Sequence, residues 1–509
     1  MRRRIHARRP ALPLLARTSR AVLTLALFGR VVAGQEARLL VDDPELSAVL
    51  ADVYAGVDKA RLALEIPGLS IAIVAGQEVL MAEGCGSADL ETAAPATAET
   101  VYRVGSVTKL FTALMLMQLR DAGKLDLDDP IQKHLPEFRI RSRFPDARPA
   151  TFRQVAAHYS GLPREPPLAT EYLPGLEYPP IEEQLASLDR VEMITPAMSE
   201  FSYSNLGYNV MGAALARVAN KPYVDWVEEK ILGPLGMADS GFEPDEHMRH
   251  RVATGYGAKN AAGVREPFAW QEFGVASGML CSTAPDLARF LMLFFREGPA
   301  GGAQVLGSSS LREMTVPVAV SVEPGELWRT GSAIGWTVGA FDGEQLCYKL
   351  GGTGGFSSVV VMNFQRRTGV VVLTNALTDP FSIAHDALSK TTAAVERARE
   401  RARAADSRRA AEALPRYAGR YTLADASAEK TLTFRSFDVS VADGRLVMTI
   451  PELLSGSVVY VRDTQLDAFA PGVFRMAGGS FYGNFFAFAP DATGVMELSW
   501  RGYRFTRSR

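Results

Sequence analysis

The sequence predicts a mixed α/β (α+β) fold in which one sheet is assembled from distant parts of the chain, followed by a second, all-β domain. Apolar runs with strand spacing occur near both ends of residues 42–395. Segments with helical spacing fill the stretch between those runs, and short β segments separated by turns follow Pro415. This order predicts one sheet flanked by helices, an inserted helical subdomain, and a small barrel-like domain at the carboxyl end.

Composition excludes several classes of protein. The 509 residues suffice for two or three domains, and 47% hydrophobic with 22% charged residues is ordinary for a globular chain. A net charge of -2 leaves no strongly basic face, so we expect no nucleic-acid partner. Cys85, Cys281 and Cys347 are too far apart for a disulfide framework or a zinc cluster, and we expect them to be buried.

The first 35 residues differ from the rest because they contain eight arginines and no acidic residue. The apolar run Ala21–Gly29 and the small residues Val32-Ala33-Gly34 predict a secretory signal peptide over residues 1–34. We therefore expect a secreted or periplasmic protein; an organelle transit peptide is the alternative reading of the same arginine-rich segment. This run is too short to span a bilayer, and no later run is long enough, so we expect no membrane span after processing.

The chain after this leader begins with a helix, predicted over Asp42–Leu64 from its spacing and from acidic residues near its start. Two apolar runs, Leu69–Ala75 and Glu78–Gly84, flank a glycine-containing turn and predict a β-hairpin. An extended run then meets Gly105 and the strongly apolar helix Leu110–Leu119.

The middle of the chain has mostly helical patterns, which places the inserted subdomain there. Helices are predicted over Thr151–His158, Ile181–Asp189, Phe201–Val218 and Pro222–Ile231, and from Pro285 onward. Strand patterns return at Ile334–Val338, Gln345–Leu350, Ser358–Met362 and Gly369–Thr374.

A long helical pattern follows, from Ile383 to about Ala405, and ends in an alternating Arg/Glu/Ala segment. Residues 396–414 are therefore predicted to be a solvated helical linker between the domain of residues 42–395 and the tail. The tail, residues 415–509, has strand patterns that predict a small antiparallel barrel or sandwich, at 431–434, 445–449, 458–461, 485–488 and 503–505.

Ser106-Val107-Thr108-Lys109 is the first candidate for chemistry. A serine and a lysine three residues apart lie on one face of a helix, and the helix start adds free backbone N–H groups. Together these groups suit a nucleophilic serine. The same pattern occurs at Ser427–Lys430, which we interpret as a turn, so the choice depends on partners elsewhere. No Gly-x-Ser-x-Gly elbow occurs in the chain, which disfavours an α/β-hydrolase triad.

Two later stretches complete a set: Tyr203-Ser204-Asn205, and Lys349-Leu350-Gly351 followed by Gly352. In this order and spacing the three motifs resemble those of the serine β-lactamase and penicillin-binding-protein superfamily, over about residues 45–395. The tyrosine of the second motif points to the class C branch, which includes D-Ala-D-Ala carboxypeptidases, D-aminopeptidases and esterases. The resemblance implies an antiparallel sheet flanked by helices, and the tail resembles the lipocalin-like β domains of some members.

The resemblance implies roles for the first two motifs. Ser106 is the nucleophile that forms an acyl-enzyme, and Lys109 and Tyr203 form its proton-handling pair. Which of these two takes the proton stays open. Asn205 holds a substrate amide and the lysine, and the substrate is a small molecule or a peptide.

The third motif completes the implied site. Backbone N–H groups of Ser106 and Gly352 form the oxyanion hole. Gly351 and Gly352 fit a strand edge that a substrate backbone approaches closely. Lys349 adds a positive charge that favours an ionised Tyr203. No cofactor and no metal ion are expected.

Leu350 departs from the family pattern, in which a threonine is usual. That hydroxyl helps to bind the substrate carboxylate, and leucine cannot donate a hydrogen bond. We therefore expect an ester, or an amide or peptide lacking that carboxylate. A true β-lactamase or D-Ala-D-Ala carboxypeptidase is the alternative. A non-catalytic penicillin-binding-like scaffold is an alternative of another class, and the intact Ser106, Lys109, Tyr203 and Lys349 argue against it.

Three further candidates are interpreted as structural. We expect His158 to be a structural histidine at a helix end rather than the base of a triad. Glu165 resembles the deacylating glutamate of class A lactamases only faintly, and we expect it on the loop surface. His247 and His250 have helical ligand spacing, but no further ligand is evident, so no metal site is expected.

Overall fold

The computed structural model describes residues 40, 42–144, 146, 148–166, 178–269, 272–296, 304–321, 330–424, 435–442, 445–450, 464–470, 472–477, 484–491, 493–500 and 503–508. The predicted signal peptide, the strand patterns at 431–434 and 458–461, and Ser427–Lys430 lie outside the described residues. The chain divides into two compact units, one ending at Ala398 and the other beginning at Arg399.

The first unit is built on one large antiparallel sheet. Its described strands are β1 (Gly68–Ala75), β2 (Glu78–Asp89), β3 (Ala94–Pro95), β4 (Tyr102–Arg103), β5 (Tyr256–Lys259), β6 (Arg265–Pro267), β7 (Cys281–Ser282), β8 (Ala319–Ser321), β9 (Thr330–Ser332), β10 (Thr337–Phe341), β11 (Glu344–Thr353), β12 (Phe356–Asn363) and β13 (Thr368–Thr374). Nine of these form the main sheet in the order β3-β2-β1-β13-β12-β11-β10-β9-β8. β4 pairs with β7, and β5 pairs with β6. Because β1 lies beside β13, the two ends of the domain meet in one sheet, with Leu69 opposite Thr374.

Helices cover both faces of this sheet. The described helices are α1 (Pro44–Ala63), α2 (Thr108–Asp121), α3 (Ile131–His134), α4 (Phe152–Ala156), α5 (Ile181–Ala186), α6 (Asn205–Ala219), α7 (Tyr223–Val227), α8 (Gly233–Leu235), α9 (Glu246–Arg249), α10 (Val275–Gly278), α11 (Ala284–Phe294), α12 (Ser308–Met314) and α13 (Phe381–Ala413). Ile71 and Val372 share a core with α1 and α13, whereas their neighbours Ala72 and Val371 share the opposite core with α2, α6 and α11. Alternate strand residues point to opposite faces, so both faces of β1 and β13 are buried. The predicted fold class is confirmed.

The strand predicted at Ile334–Val338 is misplaced. Strand β10 begins at Thr337, and the preceding residues form a turn closed by a 2.9 Å hydrogen bond from the Ala333 N–H to the Trp336 carbonyl. Gly335 in this turn has φ +83°, and Ile334 and Trp336 are buried in the core. Apolar residues in a buried turn have the same sequence pattern as a short strand, so the pattern did not separate the two. No helix among the described residues combines the length and the apolar character needed to cross a membrane.

The second unit is a closed barrel of eight antiparallel strands. They are β14 (Gly419–Leu423), β15 (Ser436–Ala442), β16 (Arg445–Thr449), β17 (Thr464–Ala470), β18 (Val473–Met476), β19 (Phe485–Pro490), β20 (Met496–Trp500) and β21 (Tyr503–Arg507). Pairing of β14 with β21 closes the barrel, which decides between the barrel and the sandwich. Tyr421, Phe437, Phe486 and Phe505 are buried inside. Phe485 precedes Phe486 on β19 and is 47% exposed, because its side chain points out of the barrel.

Candidate active site

Ser106 lies in the 3₁₀ turn Gly105–Val107, between β4 and α2. Two contacts hold this turn in place. Strand β4 pairs with β7, and Ser358 Oγ on β12 donates a 2.7 Å hydrogen bond to the Val104 carbonyl. Because these contacts fix the turn, it presents the hydroxyl of the half-buried Ser106 from a defined position.

Lys109 lies in the first turn of α2 and is fully buried. Its Nζ donates to Ser106 Oγ at 3.0 Å, to Asn205 Oδ1 at 2.6 Å and to the Ser277 carbonyl at 2.7 Å. The latter two oxygens can only accept, so two N–H bonds of the lysine are committed to them. The remaining position on the nitrogen faces the Ser106 hydroxyl. In the neutral amine that position is a lone pair aimed at the serine.

The Tyr203-Ser204-Asn205 motif lies at the start of α6. Ser204 caps this helix, since its Oγ accepts a 2.8 Å hydrogen bond from the Gly207 N–H. The same hydroxyl donates to the Pro163 carbonyl at 2.6 Å. The cap places Tyr203 just before the helix and Asn205 at its first position, and both residues contact Lys109.

Three basic side chains surround the Tyr203 ring. Lys109 Nζ lies 4.9 Å from the ring centroid, Lys349 Nζ lies 5.1 Å from it, and Arg164 Cζ lies 5.0 Å from it. Basic side chains at this distance bind the face of an aromatic ring when they are charged.

His158 stacks on Tyr203, with the ring centroids 4.1 Å apart. Burial and the charges of Lys349, Lys109 and Arg164 lower the pKa of His158 well below its usual value, so the imidazole is neutral. Its Nδ1 accepts a 3.1 Å hydrogen bond from the Ser204 N–H. His158 therefore supports the second motif from the turn after α4, and its structural role stays a prediction.

The third motif lies on β11, which pairs with β12 from Cys347 to Thr353 but with β10 only as far as Tyr348. Past Tyr348, the edge of β11 away from β12 has no described strand beside it. The serine turn packs against these residues at two glycines. A Cβ on Gly351 would lie 2.1 Å from the Val104 carbonyl oxygen, and a Cβ on Gly105 would lie 2.8 Å from Gly352 N.

All seven predicted site residues thus meet in one place, but three of their partners were missed. The prediction that Glu165 lies on the loop surface is wrong: its side chain is 15% exposed and accepts a hydrogen bond from Asn205. Arg164 and the Ser277 carbonyl were not predicted at all. The only signal for Ser277 was a run of small residues around it, which permits close approach of α10 to α2. A charged loop pair such as Arg164-Glu165 has no pattern that distinguishes it from loop surface.

The cysteines and the histidine pair are apart from this site. All three cysteines are free and buried, and burial raises the pKa of the Cys347 thiol to about 12. His247 Nε2 lies 3.1 Å from Asp239 Oδ1. Within the described ranges no cluster of three or more His, Cys, Asp or Glu residues is arranged to hold a metal ion.

Comparison with known proteins identifies the family to which the first unit is similar. The family model described as Beta-lactamase matches residues 55–394. The chain belongs to the beta-lactamase family. This family assignment confirms the resemblance of the three motifs.

Relatives of this beta-lactamase-family chain come from distant organisms. Beta-lactamase-like protein 2 of Dictyostelium discoideum is 32% identical over 287 residues, 55% of this chain, and the chain spans only 51% of that relative. The D-alanyl-D-alanine-carboxypeptidase/endopeptidase AmpH of Escherichia coli strain K12 is 28% identical over 365 residues, 69% of this chain and 89% of the relative.

Solved structures support the same fold. An octameric penicillin-binding protein homologue from Pyrococcus abyssi superposes with a TM-score of 0.59 at 23% identity, covering 90% of this chain and all of that chain. A beta-lactamase/D-alanine carboxypeptidase from Yersinia pestis superposes with a TM-score of 0.57 at 23% identity, covering 69% of this chain and 98% of the other.

Replacing Lys349 with methionine is expected to stabilise this beta-lactamase-family protein at acid pH. Burial lowers the pKa of Lys349 from 10.5 to about 7. The folded state therefore binds fewer protons than the unfolded state between about pH 7 and pH 10.5, and its free energy of unfolding rises with pH across that window. Below pH 7 the cost of burying the charge is fully present. Methionine removes that cost, by roughly 1–3 kcal/mol.

Thermal melts at pH 6 and pH 9 test this expectation. Lys349→Met should raise Tm most at pH 6, and the gain should shrink at pH 9. Lys133→Met is the control, because Lys133 is an exposed lysine paired with Asp129. A Tm difference of equal size at both pH values would contradict the assignment of the pH dependence to Lys349.

Proposed function

We propose that this protein is a serine hydrolase that cleaves an ester, amide or peptide bond through an acyl-enzyme on Ser106. The contacts of Lys109 carry the proposal. Its nitrogen lies 3.0 Å from Ser106 Oγ, while Asn205 and Ser277 occupy two of its hydrogens. A serine hydroxyl needs such a base within hydrogen-bond reach to become a nucleophile.

Acylation then follows from the positions of these groups. The proton of Ser106 passes to the Lys109–Tyr203 pair as Oγ attacks the carbonyl carbon of the substrate. The negative charge that develops on the carbonyl oxygen is stabilised by the backbone N–H groups of Ser106 and Gly352. Collapse of the tetrahedral intermediate breaks the bond to the leaving group, which takes the proton from the pair.

Deacylation repeats the sequence with water as the nucleophile. The pair takes a proton from water, the hydroxyl adds to the acyl carbon, and the bond to Ser106 Oγ breaks. The serine regains its proton, and the acid product leaves. Tyr203 lies beside Lys109, whose Nζ is 4.9 Å from the tyrosine ring centroid, so the phenolic oxygen is the second candidate to accept the proton.

Leu350 favours substrates without a carboxylate near the scissile bond. Leu350 is 43% exposed beside Lys349, and it presents an apolar surface where a hydroxyl would donate a hydrogen bond. We therefore place esters, amides and peptides lacking that carboxylate first. The second candidate is D-Ala-D-Ala cleavage, because Lys349 keeps an amine that can bind a carboxylate and the Escherichia coli relative is named a D-alanyl-D-alanine-carboxypeptidase/endopeptidase.

We further propose that residues 1–34 direct export, which would place the mature enzyme in the periplasm or outside the cell. The arginine-rich, acid-free leader with its short apolar run supports this location.

Covalent labelling tests the proposed function. The mature protein is incubated with a fluorophosphonate and, separately, with a labelled penicillin, and intact mass and peptide mapping are compared with Ser106→Ala. We expect one phosphonate per chain, mapped to Ser106 and absent from the variant. Hydrolysis of p-nitrophenyl esters should exceed turnover of a chromogenic cephalosporin. Absence of labelling by both probes would exclude the acyl-enzyme mechanism, and rapid cephalosporin turnover would reverse the substrate order.

A further inference from the structure

The carboxylate of Glu165 lies between Asn205 of the second motif and Tyr178, which precedes helix α5. Its Oε1 accepts a hydrogen bond from Asn205 Nδ2 at 2.5 Å, and its Oε2 accepts one from the Tyr178 hydroxyl at 3.0 Å. Asn205 is the residue whose Oδ1 accepts from Lys109. Asn205 therefore connects Glu165 to Lys109, the lysine that faces Ser106.

In the hydrogen bonds that link Gln184, Asn209 and Tyr178, the donor and the acceptor of each bond are determined by the neighbouring contacts. Gln184 Nε2 donates to the Pro179 carbonyl at 2.7 Å, so Gln184 Oε1 is left to accept from Asn209 Nδ2 at 3.0 Å. Asn209 Nδ2 also donates to the Tyr178 oxygen at 3.1 Å. Because a phenol has one proton, Tyr178 donates it to Glu165. The Tyr178 hydroxyl is therefore the donor that reaches the carboxylate from this side.

The loop that bears Glu165 is fixed to the same helix as Asn205. The Arg164 carbonyl accepts from the N–H groups of Asn205 and Leu206 at 2.8 and 3.1 Å. Arg164 Nε lies 3.6 Å from Glu165 Oε1, so the two side chains form an ion pair. The distance between the carboxylate and the Asn205 amide is thus set by backbone contacts as well as by the side chains.

An ionised carboxylate accepts hydrogen bonds and cannot donate them. Asn205 must therefore turn its NH₂ group towards Glu165, which leaves its oxygen facing Lys109. The flipped amide would place an oxygen against the carboxylate and an NH₂ group against the lysine, so both contacts would be lost. Glu165 thereby determines that Asn205 presents its oxygen, and not its NH₂ group, to Lys109.

We propose that Glu165 is a positioning residue that acts on Ser106 through the orientation of the Asn205 amide and the hydrogens of Lys109. This inference rests on the proposed function, since the effect is expected in the acylation of Ser106. Glu165 itself is not assigned contact with the substrate.

The test exchanges the carboxylate and the amide between the two positions. Glu165→Gln introduces a side chain that can donate or accept, so the Asn205 amide is no longer held in one orientation. Asn205→Asp places two carboxylates next to each other. The double variant restores a donor facing an acceptor: the introduced glutamine donates to the introduced aspartate, whose second oxygen accepts from Lys109.

Each variant is measured by the rate of fluorophosphonate labelling, by kcat and KM for a neutral p-nitrophenyl ester, and by Tm. We expect Glu165→Gln to lower the labelling rate and kcat about 10-fold or more, with KM changed less than about 3-fold, since misplaced groups slow the chemical step. Asn205→Asp should be slower still. The double variant should label at least about 10-fold faster than Asn205→Asp. Glu192→Gln, an exposed glutamate paired with Arg143, should match the wild type.

The outcomes separate this inference from the proposed function. Absence of wild-type labelling would refute the function itself. Normal labelling of Glu165→Gln, or a double variant no faster than Asn205→Asp, would refute the role of Glu165 alone. Tyr178→Phe gives a second measurement that leaves the carboxylate in place. It should slow labelling about 3-fold by releasing Oε2, and an unchanged rate in this variant would also count against the inference.

Discussion

Lys109→Met is expected to lower kcat for a neutral ester by about 10³-fold or more while the protein stays folded. Methionine fills a similar volume but has no nitrogen to exchange a proton with Ser106. It also leaves Asn205 Oδ1 and the Ser277 carbonyl without the donor they have in the wild type. The loss of these buried contacts is offset in part because a buried amine is removed, so we expect the change in Tm to be much smaller than the change in rate.

Two matched variants separate proton transfer from charge at this position. Lys109→Arg keeps a positive charge but cannot act as a base at neutral pH, so it should be as inactive as Lys109→Met. Lys133→Met removes an exposed lysine and should leave kcat unchanged. A Lys109→Met variant that retains more than about a tenth of the wild-type kcat would show that Tyr203 handles the proton without the lysine. Stopped-flow acylation rates measured alongside Tm decide between these results.

Gly105→Ala is expected to lower the free energy of unfolding by about 3 kcal/mol or more and to abolish activity. Gly105 has φ +51°, a conformation that costs alanine about 1 kcal/mol. The added Cβ would also lie 2.8 Å from both N and O of Gly352. Those are backbone atoms of β11, so relief requires the strand to move away from the serine turn. Such movement separates the two backbone N–H groups of the proposed oxyanion hole.

Gly123→Ala is the matched control for this prediction. Gly123 ends the turn after α2 with φ +68°, and nothing lies within 4 Å of the position its Cβ would take. It should lose only about 1 kcal/mol and keep its full kcat. The free energy of unfolding in urea and the kcat for ester hydrolysis are measured for both variants. The difference between the variants gives the effect of the steric contact, because both share the strain of a positive φ. Equal losses in the two variants would mean that the approach of Gly105 to Gly352 is unimportant.

Local patterns predicted most elements of the first unit because each pattern is contained in a few consecutive residues. The hairpin of β1 and β2, the serine helix α2 and the strands β11 to β13 all follow from spacing that any buried strand or helix must show. The turn at Gly335 was mistaken for a strand because burial, and not hydrogen bonding, determines where apolar residues occur. The second unit was predicted as a barrel or a sandwich, since both need the same alternation.

The sequence by itself singled out the residues that we propose take part in the chemistry, namely Ser106, Lys109, Tyr203 and the lysine-glycine motif on β11. Their order and spacing predicted one site before any contact was known. Only the tertiary structure decided what each group faces. Lys109 and the Ser277 carbonyl are 168 residues apart, and Asn205 and Glu165 are 40 apart. A hydrogen bond across such a separation depends on the packing of two elements, so no local pattern encodes it.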